Sequence, residues 1–288
     1  MSAPDPDDFH VKRPAGWAGR KRDMLIALGR LTALPFGKDL EQEAGDDGFA
    51  AWAYPLIGAL IGLFGGLVFL GAISLGLGIG SAALLAILAE VLLTGGRHER
   101  GLVRLADGFH GFRLMSPAPE GQGQVQGLGL NAVLALILCL ALRASGIEDL
   151  ANSLLAVAED FEATVSYGTA ATIALVLAGA GSRAAMVWVW FLLPSAPADH
   201  NEPAAPLDHD VPLTAAIQAA ALAVLCGLLL LSLKLLLAVG LAIAVVTLLM
   251  RGLGQRRLGG QNDSLLGSTQ QLAEVAILLV LSATAVVH

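Results

Sequence analysis

Long uncharged stretches alternate with short polar segments along this chain. A helix that crosses a hydrocarbon core of about 30 Å needs roughly 20 apolar residues. From Gly48 to Gly96 the only charge is Glu90, which leaves room for two spans with a glycine-rich break at Leu77-Gly78-Ile79-Gly80. Gln124 to Leu142 carries no charge and predicts a third span. Ala163 to Leu193 contains only Arg183 and predicts a fourth, longer than a bilayer requires and closed by Pro194. Leu213 to Met250 contains only Lys234 and predicts two more, folded back at Ser232-Leu233-Lys234. Ser264 to Val287 contains only Glu274 and supplies the last. The pattern predicts an all-α integral membrane protein, a polytopic bundle of about seven transmembrane helices.

This reads as one domain over residues 1–288, with a polar N-terminal segment at 1–47 and the bundle at 48–288. Polar loops are expected at 96–123 and 251–263. Over Arg22–Leu34, the residues Met24, Leu25, Leu28 and Leu31 recur at helical spacing beside Arg22 and Arg30. Such a helix either lies on the membrane surface or packs on the bundle. No cleavable signal is expected, because the first apolar run is long enough to stay as an anchor.

Composition narrows the class further. Charged residues make up 14% of the chain, about half of the roughly 25% usual in soluble domains. With 12 Pro and 2 Cys, disordered, collagen-like and disulfide-rich classes are excluded. A net charge of −7, with no basic run longer than Arg20-Lys21-Arg22, argues against nucleic-acid binding. Cys139 and Cys226 fall inside apolar spans and read as small buried hydrophobes. Of the 17 Lys and Arg, seven precede the first span, four follow the second and three precede the last. With seven spans these regions share one side, so the positive-inside rule makes the N-terminus cytoplasmic.

Two loops on that side concentrate chemistry. Thr94 to Gly111 holds five glycines, two His, two carboxylates and three Arg directly after a span. Glycine lets backbone approach a ligand closely, and Arg pairs well with phosphate. Leu258 to Gly267 is a glycine-rich turn with one carboxylate, Asp263, entering the span that carries Glu274. Arg183, Glu90 and Glu274 lie at membrane depth, where ionisable groups face a cavity or pair with one another. Arg183 therefore either meets a phosphate or forms an ion pair with Glu90 or Glu274. Trp188 and Trp190 read as interfacial anchors. His200 and His209, among Asp199, Glu202, Asp208 and Asp210, have no fixed ligand spacing and read as a solvated loop.

Four elements, in order, resemble the cobalamin synthase family, the adenosylcobinamide-GDP ribazoletransferases of bacterial inner membranes. They are Leu31-Thr32-Ala33-Leu34-Pro35, the span start Tyr54-Pro55-Leu56-Ile57-Gly58-Ala59-Leu60-Ile61-Gly62, the pair Ser182-Arg183, and Gly259 to Gly267 continuing into Leu272-Ala273-Glu274. The family's main loop motif is approximately His-x-Asp-Gly-Leu-Ala-Asp-Thr-Ala-Asp-Gly. Here His98, Glu99, Gly101, Leu102, Ala106, Asp107 and Gly108 fit, but Arg100 and Arg104 stand at the first two Asp positions. The following family element, Met-Lys-Asp-Ser-Arg-Ile-Gly, is replaced by a stretch whose only charge is Glu120. In the last motif Asn262-Asp263-Ser264 replaces Thr-Gly-Asp, which moves the carboxylate by one residue.

The resemblance implies transfer of alpha-ribazole, or its 5′-phosphate, onto adenosylcobinamide-GDP, with release of GMP. It implies Mg²⁺ as cofactor, with Asp107 and Glu99 as metal ligands and Asp107, His98 and Glu99 as catalytic candidates. Arg100, Arg104, Arg183, Gly259, Gly260 and Asp263 become substrate-binding candidates. Its partners are the two substrates and the lipid bilayer, together with other cobalamin-assembly enzymes or a second copy of the chain. The motif loops would face the cytoplasm. Plainer readings stand beside these: Asp107 as a loop cap, His98 and Glu99 as solvated loop residues. Because Arg cannot ligate a metal, a non-catalytic homologue that binds a corrinoid or a partner is the alternative. A small transporter is a weaker one, since no inverted repeat is visible.

Overall fold

The computed structural model describes residues 16–36, 47–109, 129–155, 161–197 and 210–285. Nine main helices make up the described fold: α1 (Trp17–Leu31), α2 (Tyr54–Ser74), α3 (Ile79–Thr94), α4 (Arg97–Phe109), α5 (Leu130–Leu155), α6 (Phe161–Leu192), α7 (Leu213–Leu230), α8 (Leu233–Leu253) and α9 (Asp263–Ala285). Two short helical turns, Asp47–Ala50 and Ala51–Ala53, lead into α2. Six stretches are long and apolar enough to cross a membrane: Gly48–Ser74, Leu130–Ser153, Gly168–Leu192, Leu213–Leu230, Leu233–Leu258 and Asp263–Ala283.

The second expected span differs from the pattern. The 16-residue α3 reaches span length only together with α4, and the two are bent by 91°. Gly95 and Gly96 make that corner with φ of 66° and 64°. Two successive left-handed residues are tolerated there because glycine has no Cβ. The third span also departs from expectation. Instead of ending at Leu142, α5 runs on to Leu155 and carries Arg143 through the bundle. The breaks after α2 and between α7 and α8, and the 32-residue α6, match the sequence pattern.

Helix α6 is the hub, with 83% of its span buried, against 22% for α7 and 17% for α8, whose leucines face outward. Close approach of α2 to α6 rests on Gly58, Gly62 and Gly66. A Cβ on Gly58 would collide with the Gly179 carbonyl, one on Gly62 with the Leu175 carbonyl, and one on Gly66 with Thr172. The descending partner numbers make the pair antiparallel. Small residues at such spacing let helices pack where hydrophobicity gives no drive for association in lipid. The same device joins α4 to α9, where a Cβ on Gly101 would lie 3.0 Å from the Gly267 Cα.

Helix α1 is docked on the bundle rather than lying alone on a membrane surface. Trp52 Nε1 donates to Asp23 Oδ2 at 2.8 Å, and Arg20 sits 5.1 Å over the Trp52 ring. Arg97 Nη1 donates to the carbonyls of Gly29 (3.0 Å) and Arg30 (2.6 Å), the open C-terminal end of α1. Arg97 thus fills acceptors that a helix leaves unpaired at that end.

Candidate active site

Helix α4 has two functional faces. Arg97, Arg100 and Arg104 recur at helical spacing and line a cleft of about 360 Å³ with Arg30 of α1. Its other walls are Tyr54 at the start of α2, Met186 and Trp190 of α6, and Asp263, Leu266 and Gly267 of α9. Among the described residues no carboxylate pairs with Arg100 or Arg104, and both side chains are exposed. His98 also lines the cleft, yet is only 7% exposed, and its Nε2 has no hydrogen-bond partner. Burial, reinforced by Arg183, Arg97 and Arg143, holds the His98 imidazole well below the usual histidine range. It is therefore neutral at pH 7.

Trp190 also brings a buried nitrogen to the wall, in its case a donor. It is 2% exposed with Nε1 unpartnered, and its ring lies 6.1 Å from that of Tyr54. The reading of Trp190 as an interfacial anchor is corrected: its neighbours are protein side chains, not the membrane surface. Trp188 is half-buried and packs edge-on against Phe191.

The opposite face of α4 turns Glu99 into the bundle. Gln271 Nε2 donates to Glu99 Oε1 at 2.8 Å, and Arg143 Nη1 lies 3.8 Å from the same oxygen. Arg143 also pairs with Glu90 and, at 3.0 Å, with Glu274. Arg183 Nη1 reaches Glu274 Oε2 at 3.5 Å and Ser182 Oγ at 3.1 Å, and Gln270 donates to Glu274. Arg143, Arg183, Glu90 and Glu274 are each 3% exposed or less. Of the two readings for Arg183, the structure places it in an ion pair with Glu274, beneath the cleft.

The glycines of the second loop serve backbone packing. Gly259 has φ 72°, and a Cβ on Gly260 would collide with the Pro194 carbonyl. This lets Gln261 and Pro194–Ala196 exchange backbone hydrogen bonds at 2.8 Å each. The clasp fixes the start of α9, where Asn262 Oδ1 accepts from the Leu265 N–H at 2.9 Å and caps the helix. Asp263 then opens α9 at the cleft. Asp107 is half-buried and follows Arg100 and Arg104 on the same face, about one turn (roughly 4.5 Å) beyond Arg104. The stretch 110–128, with His110, Gly111, Arg113 and Glu120, lies outside the described residues, as do Asp199, His200, Glu202, Asp208 and His209.

Of the expected site residues, the cleft lining gathers His98, Arg100, Arg104 and Asp263, but not Asp107, Glu99, Arg183, Gly259 or Gly260. Sequence reasoning missed Arg30, Arg97, Tyr54 and Trp190 as cleft residues, and Arg143, Gln270 and Gln271 as network residues. The adjacent glutamines within a span were the available signal for the network. The described cleft lining carries one carboxylate, Asp263, against four arginines, too few oxygen ligands for a Mg²⁺ held by these residues alone. Among the described residues no group of three or more His, Cys, Asp or Glu is placed to hold a metal ion. Glu99 Oε1 accepts from Gln271 and lies 3.8 Å from Arg143, while its Oε2 is buried without a hydrogen-bond partner.

Comparison with known proteins gives this arrangement a family. The sequence model of cobalamin-5-phosphate synthase matches residues 23–282. The chain belongs to the cobalamin-5-phosphate synthase family. It is 34% identical over 266 residues to the adenosylcobinamide-GDP ribazoletransferase of Mesorhizobium japonicum, covering 90% of this chain and 92% of that protein. The protein of that name from Bradyrhizobium diazoefficiens is 34% identical, with 91% and 93% covered. The one from Azorhizobium caulinodans is 36% identical, with 82% and 87% covered. No solved structure matches the chain. Membership of the cobalamin-5-phosphate synthase family joins this chain to proteins named as enzymes, and the comparisons lend no support to a non-catalytic homologue.

Proposed function

We propose that this chain is an adenosylcobinamide-GDP ribazoletransferase. It joins adenosylcobinamide-GDP to alpha-ribazole, or its 5′-phosphate, giving adenosylcobalamin or its phosphate and GMP. The observation that carries this reading is the cleft itself, where the two glycine-rich loop motifs meet across Gly101 and Gly267 beneath a row of arginines. In the reaction a ribazole hydroxyl oxygen attacks the phosphorus that bears the cobinamide. One P–O bond forms, the P–O bond to GMP breaks, and the hydroxyl proton must leave. Neutral His98, which lines the cleft with Nε2 unpaired, is an acceptor for that proton, and Asp107, further along α4, is a second. Arg100 and Arg104 stabilise charge that builds on the phosphoryl oxygens and on the departing GMP.

The cleft faces the cytoplasmic side of a bacterial inner membrane in this reading. Support comes from the basic residues of α1 and α4 gathered at one end of the bundle. A cleft of about 360 Å³ is at the small end of ligand sites, so it takes the phosphate-bearing part of the substrate. The corrin ring then remains outside, against the exposed rim.

The test is turnover in liposomes containing the purified protein, given adenosylcobinamide-GDP and alpha-ribazole 5′-phosphate. Stoichiometric adenosylcobalamin phosphate and GMP, read by chromatography, are the expected products. Folded protein that forms neither would overturn the assignment.

A further inference from the structure

Resting on the reading just given, the geometry points to a diphosphate site in which guanidinium groups take the place of a metal ion. The ligand class is an organic or inorganic diphosphate held by Arg97, Arg100 and Arg104 of α4. Four arginines against one aspartate leave the lining with a formal charge of +3, and His98 adds none while neutral. A substituted diphosphate carries two negative charges, so the cleft can neutralise it with its own side chains.

Three observations carry the proposal independently of charge. Arg97 is held by two α1 carbonyls, which fixes the corner from which Arg100 and Arg104 project one and two turns further along. Neither of those two has a carboxylate partner among the described residues, in contrast to Arg143 and Arg183 a short distance below. One buried donor in the wall, Trp190 Nε1, lacks a partner. A buried polar atom without a partner is costly unless a ligand supplies one. Planar guanidinium forks match pairs of phosphate oxygens, and they need no ion between. The described lining offers such an ion one carboxylate, Asp263, against four guanidinium groups.

The probe is inorganic pyrophosphate, with GDP alongside, titrated calorimetrically into the full chain in lipid nanodiscs. Titrations run with EDTA and, separately, with Mg²⁺. The expected result is binding in EDTA within about twofold of that in Mg²⁺. An Arg100→Gln, Arg104→Gln double variant should lose about 100-fold in affinity while keeping the wild-type melting temperature. Binding that vanishes in EDTA would overturn the proposal, as would wild-type affinity in a double variant shown to be folded. Turnover measured on the same samples separates the two claims. Metal-independent pyrophosphate binding without turnover sinks the transferase assignment alone, whereas turnover abolished by EDTA at the binding step sinks this inference alone.

Discussion

The cleft and the buried network beneath it are built from the same residue types and behave oppositely. In the network, Arg143 and Arg183 meet Glu90, Glu99 and Glu274, and Gln270 and Gln271 add hydrogen bonds to Glu274 and Glu99. In the cleft, Arg30, Arg97, Arg100 and Arg104 face one carboxylate, Asp263. An arginine whose carboxylates come from neighbouring helices is part of the scaffold. A row of arginines that outnumbers its carboxylates is poised for an anion from outside. Helix α4 serves both regions at once, with Glu99 turned inward and its arginines turned toward the cleft. Gly101 lets it do so by bringing its backbone against Gly267 of α9.

Breaking the network should have the largest effect. Arg143→Leu leaves Glu90 and Glu274 facing each other in a buried site without their shared cation. Removing one partner of a buried ion cluster costs about 3–5 kcal/mol, so the variant should unfold at markedly lower temperature in detergent. A melting temperature unchanged from wild type would remove the network from the scaffold. Next in size is Gly62→Val, which pushes α2 off the Leu175 carbonyl of α6. Overpacking of this kind costs about 1–3 kcal/mol, read in the same melt, and its effect should add to that of a cleft variant.

A cleft variant should do the reverse. Arg104→Ala is expected to lower kcat/KM for GMP release about tenfold with no change in melting temperature. A loss of stability without a change in kinetics would erase the distinction between the two regions. The smallest effect concerns His98, which sits where they meet. The folded protein keeps it neutral, whereas the unfolded chain takes up a proton near pH 6.5. Its contribution to stability is therefore complete above that pH and is lost as pH falls below it, by up to about 1.4 kcal/mol per pH unit. His98→Gln should flatten the denaturation midpoint between pH 6.5 and 5.5, and an equally steep profile in the variant would place the proton elsewhere.

Much of the scaffold was legible because lipid imposes a simple rule on composition. The uncharged runs located α2 and α6 to α9, and the breaks at Gly78 and Ser232 fell where the chain turns. That rule misled at Arg143, which reads as the end of a span but lies inside one, because its three carboxylates come from α3, α4 and α9. No single segment shows that pairing. The 91° corner after α3 was equally hidden, since Gly95-Gly96 reads as loop whether it turns sharply or not. In the site, Arg100 and Arg104 stood out as departures from the family pattern, and helical spacing put them on one face. Arg30, Trp190 and Tyr54 come from distant segments, and only the packing of α1, α2 and α6 brings them to the cleft. Gly259 and Gly260 look like a phosphate loop in sequence, but their lack of a Cβ serves the clasp to Pro194–Ala196.

The most direct test of the division between cleft and scaffold is a cryo-electron microscopy structure of the full chain in lipid nanodiscs with GDP bound. Diphosphate density is expected between α4 and the start of α9, in contact with Arg100 and Arg104, with the ion pairs of Arg143 to Glu90 and Glu274 unchanged. Diphosphate bound at Arg143 or Arg183, or bound anywhere other than the cleft at saturating GDP, would contradict that division.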